Sequence, residues 1–301
     1  MYCYRNILRP IVYTACRKID NNNCTCVGDN SVKILCIAFL LNYKAFFKKA
    51  AMGLTSCVHR IYSRRMHDTK TPSRSAGKEN LRVVIACQVM KPELDALVED
   101  HPHIEVRYLD QNMHERPEQM PAIVQAEIDA VEAYAGQVIL GYGLCSNGIA
   151  GVKAPRQGLI IPRVHDCITL FLGSRAAYEK VFYEQPGTYY LTPGWVEERK
   201  DPLGYMEAAY VPKMGREKAE WGIREELKNY TRIVMIDTQS VDMEPLRKIA
   251  QENAAFLGKQ YEEIPGMPDY FRRILFGPYP EPDFIHLQPG EVMQQEMIID
   301  P

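Results

Sequence analysis

The sequence lacks a membrane span and the motifs that identify common nucleotide sites. The apolar run Ile34–Leu41 is far shorter than the ~20 residues that a transmembrane helix needs. The glycine-rich loop Gly141–Gly148 departs from the dinucleotide pattern G-x-G-x-x-G, because Ser146 occupies the place of the third glycine. No Gly-Lys-Ser/Thr follows this loop, so the P-loop pattern fails as well. We therefore expect no membrane partner, no Rossmann dinucleotide and no ATP.

Two motifs that bind metals or corrinoids are also missing. The sequence contains no Cys-x-x-Cys pair, which many zinc and redox sites use. It contains no Asp-x-His-x-x-Gly motif, so we do not expect direct corrinoid binding. A metal site in this chain would have to be collected from cysteines that lie far apart in the sequence.

Positive charge is concentrated at the N-terminus and is scarce afterwards. The first 65 residues contain 11 Lys and Arg against 2 Asp and Glu. The rest of the chain therefore holds 25 basic and 36 acidic residues, a net charge of −11. Because nucleic-acid binding needs clustered cations, the acidic body argues against a nucleic-acid partner.

The cysteines divide along the same line. Six of the nine precede residue 60, and only Cys87, Cys145 and Cys167 follow. We interpret residues 1–80 as an N-terminal extension that is disordered or reflects a mis-called start, with Met66 as the natural start. A targeting leader and a genuine N-terminal module are the alternatives. The odd number of body cysteines and the lack of an export signal predict a cytoplasmic protein with free thiols.

From residue 81 onward, segments with strand character alternate with amphipathic segments. Leu81–Ala86 and Arg232–Ile236 are almost continuously apolar, as buried parallel strands are. This alternation predicts an α/β fold over residues 81–276, with a mostly parallel, doubly wound (Rossmann-like) sheet and helices on both faces. The tail, residues 277–301, is rich in proline and acidic residues, so we expect a C-terminal surface arm.

The three cysteines of the body lie just past three of the predicted strands. The carboxyl ends of parallel strands share one edge of a sheet, where ligands bind. Thiolates bind zinc and iron–sulfur clusters, so Cys87, Cys145 and Cys167 predict a metal site with one open position. His165 is a candidate fourth ligand or proton carrier, and Asp166 is a candidate catalytic residue beside it. Catalytic or redox thiols and buried structural cysteines are the alternatives. We expect four other histidines on the surface, namely His101, His103, His114 and His286.

Further residues near these strand ends are candidates for binding a small molecule. Arg163 and Arg175 suit an anionic substrate, and Arg175 begins a predicted helix, where free amide groups also favour anions. A helix cap and a solvated arginine are the alternative interpretation. The glycine-rich loop either cradles a ligand or is an ordinary turn. Its candidate residues are Gly143, Ser146, Asn147 and Gly148.

Three segments of the chain resemble a known family. GYGLCSNG, RVHDCITLFLGSR and TYYLTPGW, in this order, are similar to the family catalogued as domain of unknown function 1638. The resemblance extends over residues 81–276. It implies a cytoplasmic protein of methanogenic archaea or anaerobic bacteria, in a setting near corrinoid-dependent methyl-transfer genes. It also implies a family site made of Cys87, Cys145, Cys167, His165 and Asp166.

From these observations we expect a cytoplasmic α/β protein that binds zinc or an iron–sulfur cluster through three cysteines. Its expected role is chemistry on a small metabolite in anaerobic one-carbon or methyl-transfer metabolism, as a metal-dependent transferase or lyase. A non-catalytic, metal-dependent accessory or sensor protein is the alternative. The expected partners are a small-molecule substrate, a second copy of the chain and corrinoid methyltransferase systems.

Overall fold

The computed structural model describes residues 81–299 and, ahead of them, the backbone of two short strands. These are β1 (Cys16–Asp20) and β2 (Asn23–Cys26), which pair antiparallel. This hairpin and residues 81–299 belong to different compact units. The predictions about a start at Met66 and about the extension as a whole fall outside the described residues.

Strands and helices alternate along residues 81–299. The strands are β3 (Arg82–Cys87), β4 (Ile104–Leu109), β5 (Gln137–Gly141), β6 (Leu159–Pro162), β7 (Thr188–Leu191), β8 (Arg232–Asp237), β9 (Gln260–Pro265) and β10 (Phe284–Leu287). The α-helices are α1 (Lys91–Val98), α2 (Met120–Glu132), α3 (Cys167–Phe171), α4 (Arg175–Glu184), α5 (Pro193–Glu197), α6 (Pro202–Tyr205), α7 (Val211–Met214), α8 (Arg216–Glu226), α9 (Glu244–Leu257), α10 (Asp269–Phe276) and α11 (Glu296–Ile299). Short 3₁₀ helices follow β3 and β4 at Gln88–Met90 and Gln111–Glu115, and a π-helical turn spans Met206–Tyr210. Within residues 81–299, no helix is long and apolar enough to cross a membrane.

The larger sheet has five strands in the order β10-β6-β5-β3-β4. Strands β3 to β6 run parallel to their neighbours, and β10 is antiparallel to β6 at the edge. In the centre of the sheet, Val84 pairs with Val106 on one side and with Ile139 on the other. Val84 and Ile139 are buried, as a continuously apolar strand predicts. The predicted α/β fold with a mostly parallel sheet is thereby confirmed.

The remaining strands form a second sheet, whereas the sequence predicted a single one. This smaller sheet has the order β7-β8-β9, and all three strands are parallel. Its central strand β8 is buried along Ile233–Ile236. The division has a simple cause: β10 occupies the outer edge of β6, so the next strand along the chain, β7, does not add there.

The two sheets meet near the carboxyl ends of their strands. Gly194, at the start of α5 after β7, lies so close to Val89, after β3, that a Cβ on Gly194 would lie 2.1 Å from the Val89 carbonyl oxygen. Thr238, after β8, donates its hydroxyl to Glu93 Oε1 at the start of α1 (2.8 Å). Segments that follow the strands of one sheet therefore contact segments that follow the strands of the other.

The C-terminal tail differs from the expected surface arm. It contributes the edge strand β10, which pairs with β6 from Phe284 opposite Pro162 to Leu287 opposite Leu159. Phe284 and Met293 are fully buried in the core of the larger sheet. Apolar side chains at these positions, hidden among prolines and acids in the sequence, account for the difference.

Candidate functional site

The three cysteines of the body lie near one buried side chain, Tyr142. Cys87 is the last residue of β3, Cys145 lies four residues after β5, and Cys167 is the first residue of α3. Burial raises the pKa of the Tyr142 phenol well above its usual value, and the nearby thiols of all three cysteines raise it further. Tyr142, Cys87 and Cys145 are buried, and Cys167 is half-buried. All three cysteines therefore lie at or past the carboxyl ends of strands in the larger sheet; the close approach of their sulfurs and their role as ligands stay predictions.

Cys87 faces two polar side chains that follow the neighbouring strand β4. Its thiol donates to Gln111 Oε1 (3.2 Å), and its Sγ lies 3.4 Å from His114 Nε2. Burial raises the pKa of the Cys87 thiol to about 12, although the Val89 amide and the Tyr142 hydroxyl lower it in part. Burial, with the charge of Lys200, lowers the pKa of His114 to about 4. At neutral pH a neutral thiol therefore faces a neutral imidazole.

Cys145 opens a left-handed turn made of three consecutive residues that are not glycine. The φ angles are 47° at Cys145, 59° at Ser146 and 69° at Asn147, and the Gly148 amide donates to the Cys145 carbonyl (3.1 Å). Each such residue costs about 1–2 kcal/mol relative to right-handed geometry. Ser146 Oγ and Asn147 Oδ1 are buried and have no hydrogen-bond partner among the described residues. Strain together with unsatisfied polar atoms is typical of functional sites.

The turn is held against the segment that leads into α3. Leu144 N–H donates to the Val164 carbonyl (3.0 Å), and Cys145 N–H donates to the His165 carbonyl (2.9 Å). Gly143 allows this approach, because a Cβ there would lie 2.7 Å from the Asp166 Cα atom.

The sulfur of Cys145 lies within this junction. Burial raises the pKa of the Cys145 thiol well above its usual value, and the charge of Asp166 adds to the effect. The amides of Gly143 and Cys167 point at the sulfur and oppose this shift. The two amides would therefore stabilise a Cys145 thiolate once its proton is removed.

Asp166 and His165 lie beside the cluster but are not hydrogen-bonded to each other in the described structure. The Asp166 carboxylate caps α3 by accepting from the Ile168 amide (3.0 Å), and it also accepts from the Tyr178 hydroxyl (3.4 Å). Burial raises the pKa of Asp166 to about 6 despite these bonds. His165 is exposed as a whole, and partial burial of its ring with the charge of Arg175 lowers its pKa.

The remaining predicted residues lie in the loop that carries Cys145 or are the arginines Arg163 and Arg175. The loop residues are Gly143, Ser146, Asn147 and Gly148. Gly148 packs against α2, because a Cβ there would lie 2.1 Å from the Met120 sulfur. Arg163 points away from this loop, since its guanidinium donates to the carbonyl groups of Met297 and Glu281 in the C-terminal tail. Arg175 begins α4 directly after Ser174, whose hydroxyl caps the helix as expected by accepting from the Ala177 amide (3.1 Å). Whether these residues bind a substrate stays a prediction.

Three side chains of the cluster were missed in the sequence: Gln111, His114 and Tyr142. We expected His114 on the surface, but it is buried. Gln111 and His114 lie in the 3₁₀ helix that follows β4, and Tyr142 directly follows β5. The rule that identified the cysteines, namely polar residues just past strand ends, would have found all three had it been applied to every residue type.

The side chains of the cluster do not have the geometry of a metal site in this structure. Within residues 81–299, no group of three or more His, Cys, Asp or Glu side chains stands in positions that would hold a metal ion. The donor types nevertheless suit a soft metal, because three thiols and the His114 imidazole lie near Tyr142.

A family match decides the classification. A family described as a protein of unknown function (DUF1638) matches residues 108–275, more than half of the chain. The chain belongs to this family. The match confirms the resemblance drawn from the three sequence segments, and it includes Cys145, Cys167 and His114 but begins after Cys87. No curated protein and no solved structure matches the chain significantly. The setting near methyl-transfer genes stays a prediction.

Proposed function

We propose that this DUF1638 protein is a cytoplasmic metalloprotein in which Cys87, Cys145 and Cys167 bind zinc or an iron–sulfur cluster. The observation that carries the proposal is that Cys87 ends β3 while Cys145 and Cys167 follow β5 and β6, three neighbouring parallel strands of the larger sheet. Buried free cysteines are common as small apolar side chains. Three thiols at the carboxyl ends of neighbouring strands, where ligands bind in parallel sheets, are not required by apolar packing.

The strand order favours this edge of the sheet as a binding site. From β3 the chain moves outward to β4 and then crosses back to β5, on the other side of β3. Right-handed crossovers would place α1 and α2 on opposite faces of a doubly wound sheet. In such sheets, ligands bind where the strand order reverses, which here is between β3 and β5. Cys87 and Tyr142 follow the carboxyl ends of these two strands.

Metal binding would draw the thiols into their ionised form. The raised pKa values of Cys87 and Cys145 follow from burial, because a buried thiolate without a cation is costly. A bound cation would reverse this balance and release protons. The amides of Gly143 and Cys167 already point at the Cys145 sulfur and would support its ionised form.

The proposed activity is a reaction on a small metabolite, in one-carbon or methyl-transfer metabolism. A bound metal with an open position would polarise a substrate or activate a thiol acceptor. Asp166, with a pKa near 6, is suited to take up or give a proton near neutral pH. His165 is the second proton carrier in this proposal. A non-catalytic accessory or sensor protein that responds to the metal remains the alternative.

A second candidate function is nucleophilic catalysis by a thiol. The distance of 3.4 Å from Cys87 Sγ to His114 Nε2 favours it, because a nucleophile and its base need such proximity. Reactive cysteines, however, have a lowered pKa and are partly exposed. Cys87 is buried and its pKa is raised to about 12. The metal site is therefore the better supported of the two.

Anaerobic purification followed by elemental analysis tests the proposal. We expect about one zinc per chain in colourless protein, or iron and sulfide in brown protein. The variant C24A/C26A, which removes the Cys-x-Cys pair among the six N-terminal cysteines, is the matched control for metal bound outside the proposed site and should keep its metal. Protein that contains no zinc or iron, even after anaerobic incubation with each, would contradict the proposal.

A further inference from the structure

The buried imidazole of His114 contacts the thiol of Cys87. We propose that His114, rather than His165, is the nitrogen ligand that completes the metal site. The inference rests on the metal site proposed above and names its fourth ligand. It reverses the expectation from the sequence, which placed His165 at the site and His114 on the surface.

The distance between the two side chains matches a metal site. Zn–S bonds of about 2.3 Å and Zn–N bonds of about 2.0–2.1 Å, at a tetrahedral angle, place sulfur and nitrogen about 3.5 Å apart. Cys87 Sγ and His114 Nε2 lie 3.4 Å apart. The spacing of this one pair of ligand atoms is therefore already that of a tetrahedral zinc site.

His114 and His165 differ in burial and in the side chains that surround them. His114 is buried, and its ring centroid lies 6.1 Å from that of Tyr142, the buried residue that lies near the three thiols. His165 is exposed, and the charges that act on it belong to Arg175 and Glu179 of α4. His114 therefore lies next to a cysteine of the cluster, whereas His165 lies near the charged side chains of α4.

The backbone fixes His114 in this place. The turn that carries it begins at Asp110, whose carboxylate accepts from the Asn112 amide (2.7 Å). Leu109, just before this turn, pairs in register with Cys87 in the parallel sheet. Gln111, in the same turn, accepts the Cys87 thiol proton at present. A flip of its amide would instead offer an N–H to the thiolate.

A fourth protein ligand changes what the site can do. Four protein ligands close the shell of a tetrahedral zinc ion, which is the arrangement of structural sites, whereas catalytic zinc keeps an open position. If His114 completes the site, the accessory or sensor alternative gains support over the enzyme with an open metal position. The identity of this one ligand therefore bears on the function itself.

Zinc affinity of full-length variants tests the inference. The probe is zinc alone, titrated anaerobically against a chromophoric chelator. H114Q keeps a polar side chain of similar size but removes the imidazole, and H165Q is the matched control. We expect H114Q to weaken zinc binding about tenfold or more, and H165Q to change it less than about threefold, since removing even supporting residues around a metal typically costs 10–100-fold. Equal effects in both variants, no effect in H114Q, or a loss confined to H165Q would overturn the inference.

X-ray absorption at the zinc edge gives a reading that does not depend on the folding of H114Q. Wild type and H165Q, both loaded with zinc, should show three sulfur neighbours and one imidazole nitrogen. Loss of the imidazole signal in H165Q, or a shell without nitrogen in wild type, would overturn the assignment of His114 while the metal site stood. Wild type that binds no zinc or iron at all would overturn the proposed function instead, so the two failures are distinguishable.

Discussion

The carboxyl edges of the two sheets present opposite kinds of side chains. After β8 in the smaller sheet, Asp237 binds Arg247 (3.0 Å), and Arg247 also binds Glu263 of β9 (2.9 Å). Asp237 in addition accepts the Gln239 amide (3.0 Å). Charged groups at this edge are therefore matched by partners of opposite charge.

The corresponding edge of the larger sheet is built differently. Three thiols lie near Tyr142, the Cys145 turn is left-handed over three residues, and Ser146 Oγ and Asn147 Oδ1 are buried without a partner among the described residues. Strained backbone and unsatisfied polar atoms reduce stability and cluster at functional sites. The contrast supports the proposal that the larger sheet's edge, called the binding edge below, binds a ligand.

The largest expected effect is on metal content, and it distinguishes the proposed ligand Cys145 from its neighbour Asp166. Replacing Cys145 with alanine should remove most bound metal, because two thiolates and a histidine form a weaker soft-metal site. The fold should survive, since a core of this size does not depend on a structural metal. Replacing Asp166 with asparagine should leave most metal in place. Metal content and circular dichroism of both variants check this, and full metal retention by C145A would place the site elsewhere.

Alanine substitutions at two glycines, one at the carboxyl edge of the larger sheet and one in helix α8, test how tightly that edge is packed. Gly143→Ala should destabilise the protein by about 3 kcal/mol and lower metal content, because the new Cβ would lie 2.7–3.0 Å from the Asp166 backbone. Gly222→Ala is the control: its Cβ would meet nothing closer than 4.0 Å, so the helix α8 should gain about 0.5–1 kcal/mol. Urea unfolding measures both. A tolerated G143A would show that the two segments are not held in close contact.

Glu93, where the two edges meet, should make stability depend on pH. Its Oε1 accepts hydroxyl groups of Thr238 (2.8 Å) and Ser240 (3.1 Å), and its Oε2 is buried without a partner among the described residues. Burial raises the pKa of Glu93 from 4.5 to about 7, and the charge of Glu197 adds to this. The folded state therefore keeps a proton that the unfolded chain has already released, and stability should fall as pH rises from about 4.5 to 7.

The variant Glu93→Gln isolates this effect, since it fixes the side chain in a neutral form. At pH 8 it should be more stable than wild type by up to about 3 kcal/mol, and at pH 4.5 the two should be nearly equal. Urea unfolding at both pH values provides the measurement, with the exposed Glu118→Gln as control. An equal difference at both pH values would show that Glu93 does not titrate in this range.

The smallest expected effect concerns backbone strain. Ser146→Gly and Arg199→Gly both place glycine at a positive φ angle, 59° and 53°, so each should gain about 1 kcal/mol of stability. Only the Ser146 variant lies at the binding edge, and it should also weaken metal binding by loosening the Cys145 turn. Thermal unfolding and metal titration of both variants check this. Equal metal affinity in S146G and wild type would mean that the strain does not serve the site.

Most of the fold was predictable from the sequence because apolar runs and helix caps act locally. The apolar runs Leu81–Ala86 and Arg232–Ile236 agree to within one residue at each end with β3 (Arg82–Cys87) and β8 (Arg232–Asp237). The division into two sheets was not, because it depends on β10 pairing with β6 across more than a hundred residues of sequence. Pairing at such a distance leaves no local pattern.

The site was predictable only in part, for a related reason. Cys87, Cys145 and Cys167 were found by their position after strands, which is a local signal. Burial of His114 arises from packing against the Cys87 thiol and Tyr142; its place after β4 was a local signal, but its burial was not. The left-handed turn is equally hidden, because Cys145 and Ser146 are residues that rarely adopt a positive φ angle.

Cobalt(II) loading of the anaerobic protein tests most directly whether the three thiols bind one metal. Thiolate ligands give cobalt(II) an intense sulfur-to-metal charge-transfer absorption that oxygen and nitrogen ligands do not give. The account predicts this band in wild type and in C24A/C26A, and its loss in the triple variant C87A/C145A/C167A. A band that persists in the triple variant, or that is absent from wild type, would contradict the central claim that these cysteines form a metal site.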